Sequence, residues 1–140
     1  MFTGKYIHSV DEKNRIIIPS KFRDGLSQGA YITLGLDQCL TIYPLDEWNK
    51  FIEKTLQLNT NLADVRKFIR TISSNAVECS FDKQGRVSLP LELMEIANIK
   101  GECVIIGNLD TIEIWSKQRW EDYSSDPSAT FEELAEKLAK

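Results

Sequence analysis

Short runs of β-favouring residues bounded by polar turns open the chain, and longer stretches with helical spacing follow them. Lys5–Val10 and Arg15–Ile18 read as two strands joined by the polar turn Asp11–Asn14. Pro19 fits the first position of a short helix over Ser20–Asp24, where its missing N–H costs nothing, and Gly25 suits the exit of that helix. Tyr31–Gly35 and Cys39–Tyr43 are β-rich runs around Leu36-Asp37-Gln38, which predicts a hairpin. Pro44 then opens a helix in which Trp48, Phe51, Ile52 and Leu56 fall on one apolar stripe. Asn59-Thr60-Asn61 breaks that helix, with Asn61 expected as N-cap of the next. The next helix runs from Leu62 to about Ile72. It places Leu62, Val65, Phe68, Ile69 and Ile72 on one face and Arg66, Lys67 and Arg70 on the other.

The same succession then starts again. Ala76–Phe81 and Arg86–Leu89 predict strands, Pro90–Ala97 a short helix, and Cys103–Gly107 with Thr111–Trp115 a second hairpin. Ser116 is placed to cap a helix that contains Trp120. Asp126-Pro127-Ser128 reads as a linker to an acidic amphipathic helix, Thr130–Lys140, with Phe131, Leu134 and Leu138 expected to face inward. Residue identities repeat too. Asp11-Glu12-Lys13-Asn14-Arg15 leads through three strand residues to Pro19, and Asp82-Lys83-Gln84-Gly85-Arg86 leads likewise to Pro90. Asp, Arg and Pro recur at an offset of 71 residues. Further on, Gly35, Ile42 and Trp48 recur as Gly107, Ile114 and Trp120 at an offset of 72, with Tyr43 matched by Trp115. A whole unit is therefore duplicated, not a single loop. Either half alone would bury too little apolar surface to stand, so the halves are expected to share a core or to borrow one from neighbouring chains.

Composition narrows the function. No apolar run approaches the length of a membrane span, and Met1–Tyr6 lacks the apolar stretch of a signal peptide, which predicts a cytoplasmic address. Cys39, Cys79 and Cys103 show no CxxC spacing and read as reduced, buried thiols. The net charge of −4 argues against indiscriminate nucleic-acid binding. Its distribution is uneven, however. Lys5, Lys13, Arg15, Lys21 and Arg23 outnumber Asp11, Glu12 and Asp24 near the start, while the last twenty residues carry a net −4. A basic face away from the tail remains open to the fold. His8 is the lone histidine and lies in a strand, and no glycine-rich phosphate loop, HExxH or GxSxG occurs. These features predict no metal site, no cofactor and no catalytic activity.

The chemistry of the chain lies in its repeated turn. Arg15 and Arg86 each follow a tight polar turn and begin a strand, so each guanidinium is held near a loop tip on a stiff scaffold. A guanidinium can donate two parallel hydrogen bonds to guanine O6 and N7, or grip a phosphate. Lys13 and Lys83 stand nearby as point charges for phosphate, and Lys21 and Arg23 on the short helix are supporting candidates. The second copy has Glu92 and Met94 where the first has Lys21 and Arg23, so the copies are not expected to contribute equally. Asp11 and Asp82 are expected to accept backbone N–H bonds and to orient the Arg four residues on. A purely structural ion pair within each turn explains the same residues, and duplication would copy it as readily. Trp48 and Trp120 read as packing anchors because they lie on helical stripes.

With these residues in place, the chain resembles the MraZ family over nearly its whole length. The resemblance rests on the turns Asp11–Arg15 and Asp82–Arg86. Pro19 with Lys21-Phe22-Arg23, Cys39-Leu40 through Tyr43-Pro44 to Trp48, and Ile105-Ile106-Gly107 to Glu113-Ile114-Trp115 support it. It implies a mainly β, α+β fold, a tandem-duplicated AbrB-like swapped-hairpin barrel with flanking amphipathic helices. The expected parts are a first repeat over 1–58, a linking helix over 59–75, a second repeat over 76–123 and a C-terminal acidic helix over 124–140. It further implies a ring of identical chains, associated with the nucleoid. Such a ring would bind double-stranded DNA at repeated short boxes upstream of the division and cell-wall operon, as a regulator and repressor. Carried onto this chain, Arg15 and Arg86 read DNA with Lys13 and Lys83 beside them. Asn14 stands where the family often has Gly, as Gly85 does here, and Asn tolerates a positive φ. The acidic tail is expected on the outer rim. An oligomeric protein-interaction module and an RNA-binding protein are the competing readings.

Overall fold

The computed structural model describes residues 1–139. Its strands are β1 (Lys5–Ser9), β2 (Arg15–Ile17), β3 (Ala30–Leu34), β4 (Leu40–Pro44), β5 (Val77–Glu78), β6 (Arg86–Ser88), β7 (Glu102–Asn108) and β8 (Thr111–Ser116). The helices are α1 (Ser20–Arg23), α2 (Leu45–Leu56), α3 (Ala63–Asn75), α4 (Leu91–Ile96), α5 (Lys117–Ser124) and α6 (Phe131–Leu138). Each half thus runs ββαββαα, and the mixture of an antiparallel sheet with helices is an α+β fold.

The two halves are interleaved. Six strands form one antiparallel sheet in the order β1-β7-β8-β4-β3-β5, and β2 pairs with β6 in a separate ribbon. The first strand of one half lies against the third strand of the other: β1 pairs with β7, and β5 with β3. The two remaining cross-half ladders, β4–β8 and β2–β6, join like to like. This pairing is the signature of a pseudo-twofold axis. The axis passes through the Ile16–Val87 pair in the ribbon and the Thr41–Glu113 pair in the sheet.

Sheet and ribbon enclose one core. Ile16 and Ile18 from the ribbon's first strand, and Val87 and Leu89 from its second, are buried with Ile32, Ile42, Ile105, Ile112 and Ile114 of the sheet. Phe22 and Leu93, corresponding residues of α1 and α4, close the ends of the same cluster. Phe22 meets Phe2 and Tyr6 edge to face. Neither half holds a core of its own.

Each half also carries an aromatic cluster that joins the sheet to a helix. Trp48 stacks on Tyr31 and packs with Tyr43 and Phe51, fixing α2. Trp115, Trp120 and Tyr123 do the same for α5. Tyr43, Trp48 and Phe51 correspond to Trp115, Trp120 and Tyr123, so the tryptophans are packing anchors. Ser116 caps α5 by accepting a hydrogen bond from Arg119 N.

Several local expectations are corrected. Gly25 lies inside a 3-10 turn over Asp24–Leu26, and the positive φ that ends this region belongs to Gly29. Asn61 does not cap α3; its own N–H is held by the Asn59 side chain, and Leu62 occupies the N-cap position, where no side chain makes a capping hydrogen bond. The strand expected over Ala76–Phe81 shortens to β5, because the ladder on β3 ends at the Cys79 N–Ala30 O bond. Gly35 and Gly107 are not counterparts. Ile32 lies opposite Ile42 as Ile105 lies opposite Ile114, which sets the offset at 73 for β3 to β7 and 72 for β4 to β8. Phe131, Leu134 and Leu138 of α6 do not face inward; they are 80%, 46% and 88% exposed. Cys39 and Cys103 are buried and Cys79 is half-buried, and all three are free thiols. Burial pushes Cys39 and Cys79 up to about 12 and Cys103 up to about 11. Among the described residues no helix is long and apolar enough to cross a membrane.

Candidate nucleic-acid interface

Each repeated turn is built around one carboxylate. Asp11 Oδ1 accepts from the backbone N–H of Lys13 and of Arg15, both at 2.9 Å, and its Oδ2 accepts from Arg15 Nε at 2.8 Å. Asp82 repeats this: Oδ1 accepts from Gln84 N and Arg86 N at 2.9 Å, and Oδ2 from Arg86 Nε at 2.7 Å. The backbone closes each turn as well, with Asn14 N donating to Asp11 O and Gly85 N to Asp82 O at 3.0 Å. Asn14 (φ 59°) and Gly85 (φ 78°) hold the left-handed corner, so Asn14 fills the role of its glycine counterpart. The backbone N–H of Arg15 holds the Asp11 carboxyl below the usual aspartate value, and the N–H of Arg86 does so for Asp82.

The ribbon brings the turns together. Arg15 pairs with Ser88 and Ile17 with Arg86, so the four side chains share the ribbon's outer face while Ile16 and Val87 point into the core. The turns are laced to the opposite strands: Ile18 N donates to Gly85 O at 3.0 Å and Leu89 N to Asn14 O at 2.8 Å. Arg86 Nη1 lies 3.7 Å from Asp11 Oδ2, an ion pair across the pseudo-axis. Both arginine side chains are mostly covered, 27% exposed for Arg15 and 25% for Arg86. Each Nε is committed to its own aspartate. The Nη groups of both arginines donate no hydrogen bond among the described residues. The result is a pair of oriented guanidinium edges on a rigid ribbon, suited to bidentate recognition of a planar acceptor or a phosphate.

The other predicted cations fall around this pair unequally. Lys13 and Lys83 are exposed, but they occupy different turn positions: Lys13 corresponds to Gln84, and Lys83 to Glu12. Arg23 belongs to the second turn, not the first. Its Nε donates to Ile18 O at 2.8 Å, and its guanidinium lies over Gly85, where any Cβ would overlap it. Met94, its counterpart, is buried. Lys21 is exposed near Gly4, with its ammonium close to where a Cβ on that glycine would stand. Ile17 and Ser88 are members of this face that the sequence reading assigned only to strands. The i, i+2 relation to Arg15 and Arg86 is the signal that places them there.

Comparison with known proteins agrees with the duplication. The family model described as MraZ protein matches twice, over residues 1–71 and 72–140. The chain is similar to the transcriptional regulator MraZ of Clostridium tetani, 49% identical over 140 residues, covering 100% of this chain and 98% of that protein. The protein of the same name from Pediococcus pentosaceus is 46% identical over 138 residues, 99% of this chain and 96% of the relative. That of Desulforamulus reducens is 44% identical over 138 residues, 99% and 97%. Proteins of this name are regulators of transcription, not enzymes. A family match over each half and these full-length likenesses settle the kinship: the chain belongs to the MraZ family.

Proposed function

We propose that this protein is a sequence-specific DNA-binding transcriptional regulator that reads double-stranded DNA through its paired Asp-x-x-x-Arg turns. The observation that carries the reading is the pair of guanidinium edges, Arg15 and Arg86, each fixed at Nε by its own aspartate and set side by side on the β2–β6 ribbon. Lys13, Lys83, Lys21 and Arg23 supply phosphate contacts around them. The target is a set of repeated short boxes in the protein's own promoter, at the head of the division and cell-wall operon, and binding represses it. One ribbon presents few contacts, so a homo-oligomeric ring binds successive boxes together and gains through effective concentration. The protein works in the cytoplasm, at the nucleoid.

Binding to a labelled duplex from upstream of the protein's own gene, against a scrambled duplex at two salt concentrations, tests this. The expected result is a strong preference for the native sequence and an affinity that falls steeply with salt. Arg15→Ala and Arg86→Ala each cost about 1–3 kcal/mol and relax base preference. Equal binding of both duplexes by wild type and both variants removes the reading.

A further inference from the structure

The outer face of the β2–β6 ribbon carries Arg15, Ile17, Arg86 and Ser88, and only Ile17 is apolar. Arg86 stands opposite it in the ladder, and Arg15 lies two residues before it on the same face. Ile17 is 38% exposed, whereas Ile16 and Ile18 on either side are wholly buried. Those two neighbours fix the backbone, so the Ile17 side chain cannot turn inward. A lone exposed apolar residue ordinarily needs no explanation. This one shares its face with the two oriented guanidinium edges. The fold does not require it either, because its counterpart 71 residues on is Ser88, which fills the corresponding place in the second half.

The major groove offers such a side chain one kind of partner. Guanine presents O6 and N7 to a guanidinium, and thymine presents its 5-methyl group to an apolar side chain. A phosphate gains nothing from a hydrocarbon neighbour, and cytosine carries no methyl at that position. The spacing is compatible. Side chains opposite each other in an antiparallel ladder stand about 5 Å apart, and successive base pairs rise by about 3.4 Å. An arginine on guanine and the isoleucine beside it therefore reach neighbouring base pairs. Ile17 is also β-branched and stiff at its first side-chain torsion, so it loses little freedom on making the contact.

We infer that Ile17 is a specificity-determining residue of the ribbon and reads the 5-methyl group of a thymine beside the guanine held by an arginine. The inference rests on the DNA-reading function proposed above and adds a second chemistry to it. The arginines select guanine by hydrogen bonding, and Ile17 selects thymine over cytosine by apolar contact. Ser88 makes no such contact, so the methyl is read from one half of the ribbon only.

Uracil scanning of the duplex from upstream of the protein's own gene tests it, because deoxyuridine pairs as thymidine does and lacks only the methyl. Each thymine is replaced singly, and binding of the full-length chain is measured by fluorescence anisotropy. Replacement of a thymine next to the bases whose preference Arg15→Ala and Arg86→Ala relax is expected to weaken wild-type binding about threefold to tenfold. Ile17→Ser, which places the Ser88 side chain at the first-half position, is expected to bind the native duplex more weakly by the same factor. It should no longer sense the uracil, while Ile17→Val should still sense it. Unchanged far-UV circular dichroism shows that both variants are folded, and the wild-type scan needs no variant at all. A wild type indifferent to every uracil, sensitivity confined to thymines remote from the arginine-read bases, or an Ile17→Ser variant as sensitive as wild type overturns the inference. If wild type still prefers the native duplex to a scrambled one in these cases, the regulator reading stands without it. Equal binding to native and scrambled duplexes removes both.

Discussion

Asp11 and Asp82 each spend one oxygen on two backbone N–H groups and the other on an arginine Nε. Structure and recognition are therefore not alternatives at this site. The intra-turn ion pair exists, and it orients the part of the guanidinium that remains free. Two consequences follow at this scale. Because both carboxyls titrate below their ordinary value of 3.8, their contribution to stability is complete above that value and is lost as pH falls through the depressed one. Asp11→Asn, which keeps the shape but not the charge, is expected to flatten the acid limb of a stability profile measured by urea unfolding from pH 6 downward. An unaltered acid limb counts against the assignment. The two corner residues also differ in what they tolerate. Gly85→Ala adds a Cβ at φ 78° and beneath the Arg23 guanidinium, whereas Asn14→Gly only relaxes a conformation already adopted. The first is expected to cost about 1–2 kcal/mol from the backbone alone, plus the displacement of Arg23. The second is expected to cost less, and equal urea midpoints for the two variants would count against both the backbone cost and the Arg23 displacement.

Elements form where local pattern and packing agree. Helices α2 and α5 sit where they do because Tyr43, Trp48 and Phe51, and their counterparts Trp115, Trp120 and Tyr123, clasp a hairpin and its following helix. Trp48→Ala removes a buried ring from this clasp and is expected to lose about 3–5 kcal/mol by denaturant unfolding. Trp120→Ala, less buried, is expected to lose clearly less. These anchors were legible as helical stripes, and the two polar turns were legible from Asp, Arg and Pro at one offset. Other features were not, for identifiable reasons. Gly35 and Gly107 look like counterparts, yet the ladders shift one against the other by a residue, and Gly107 is where the backbone of Phe2 and Thr3 crosses so closely that no Cβ fits. An identical letter thus has a different cause, and only register reveals it. The adjacency of the two turns was likewise invisible, because strand order depends on contacts 71 residues apart that no local pattern encodes. For α6 the amphipathic stripe was read correctly but its partner was assumed to be the chain's own core.

The pseudo-twofold axis makes a prediction about the whole molecule. Every ladder that joins the halves maps onto itself or onto its twin: β1–β7 onto β5–β3, with β2–β6 and β4–β8 each onto itself. A first half alone, residues 1–75, has the hairpin β3–β4 but no partner for β1 and β2, and nothing to cover Ile16, Ile18 and Ile42. As a single copy it exposes these apolar side chains, and a unit of this size cannot compensate. Two copies, however, can replace the pseudo-axis by a true one, with β1 of each lying on β3 of the other and β2 pairing with β2. The sequence allows it, since Ile16 would face Ile16 where it now faces Val87, a small increase in volume at the centre of the ribbon. The fragment is therefore expected to be unfolded when dilute and folded as a dimer when concentrated. Its thermal midpoint should rise with protein concentration, as mass action requires. The full-length chain, whose halves are covalently joined, should show no such dependence for the fold itself. A fragment that folds as a single chain at every concentration would mean that each half carries its own core, against the shared cluster described here. The same experiment bears on recognition. A dimer of first halves places Arg15 beside Arg15 and removes Lys83, so it should bind duplex DNA with two equal turns, each flanked by its own Lys13, while Arg23 of the other copy is displaced by the Asn14 Cβ that stands where Gly85 now leaves room.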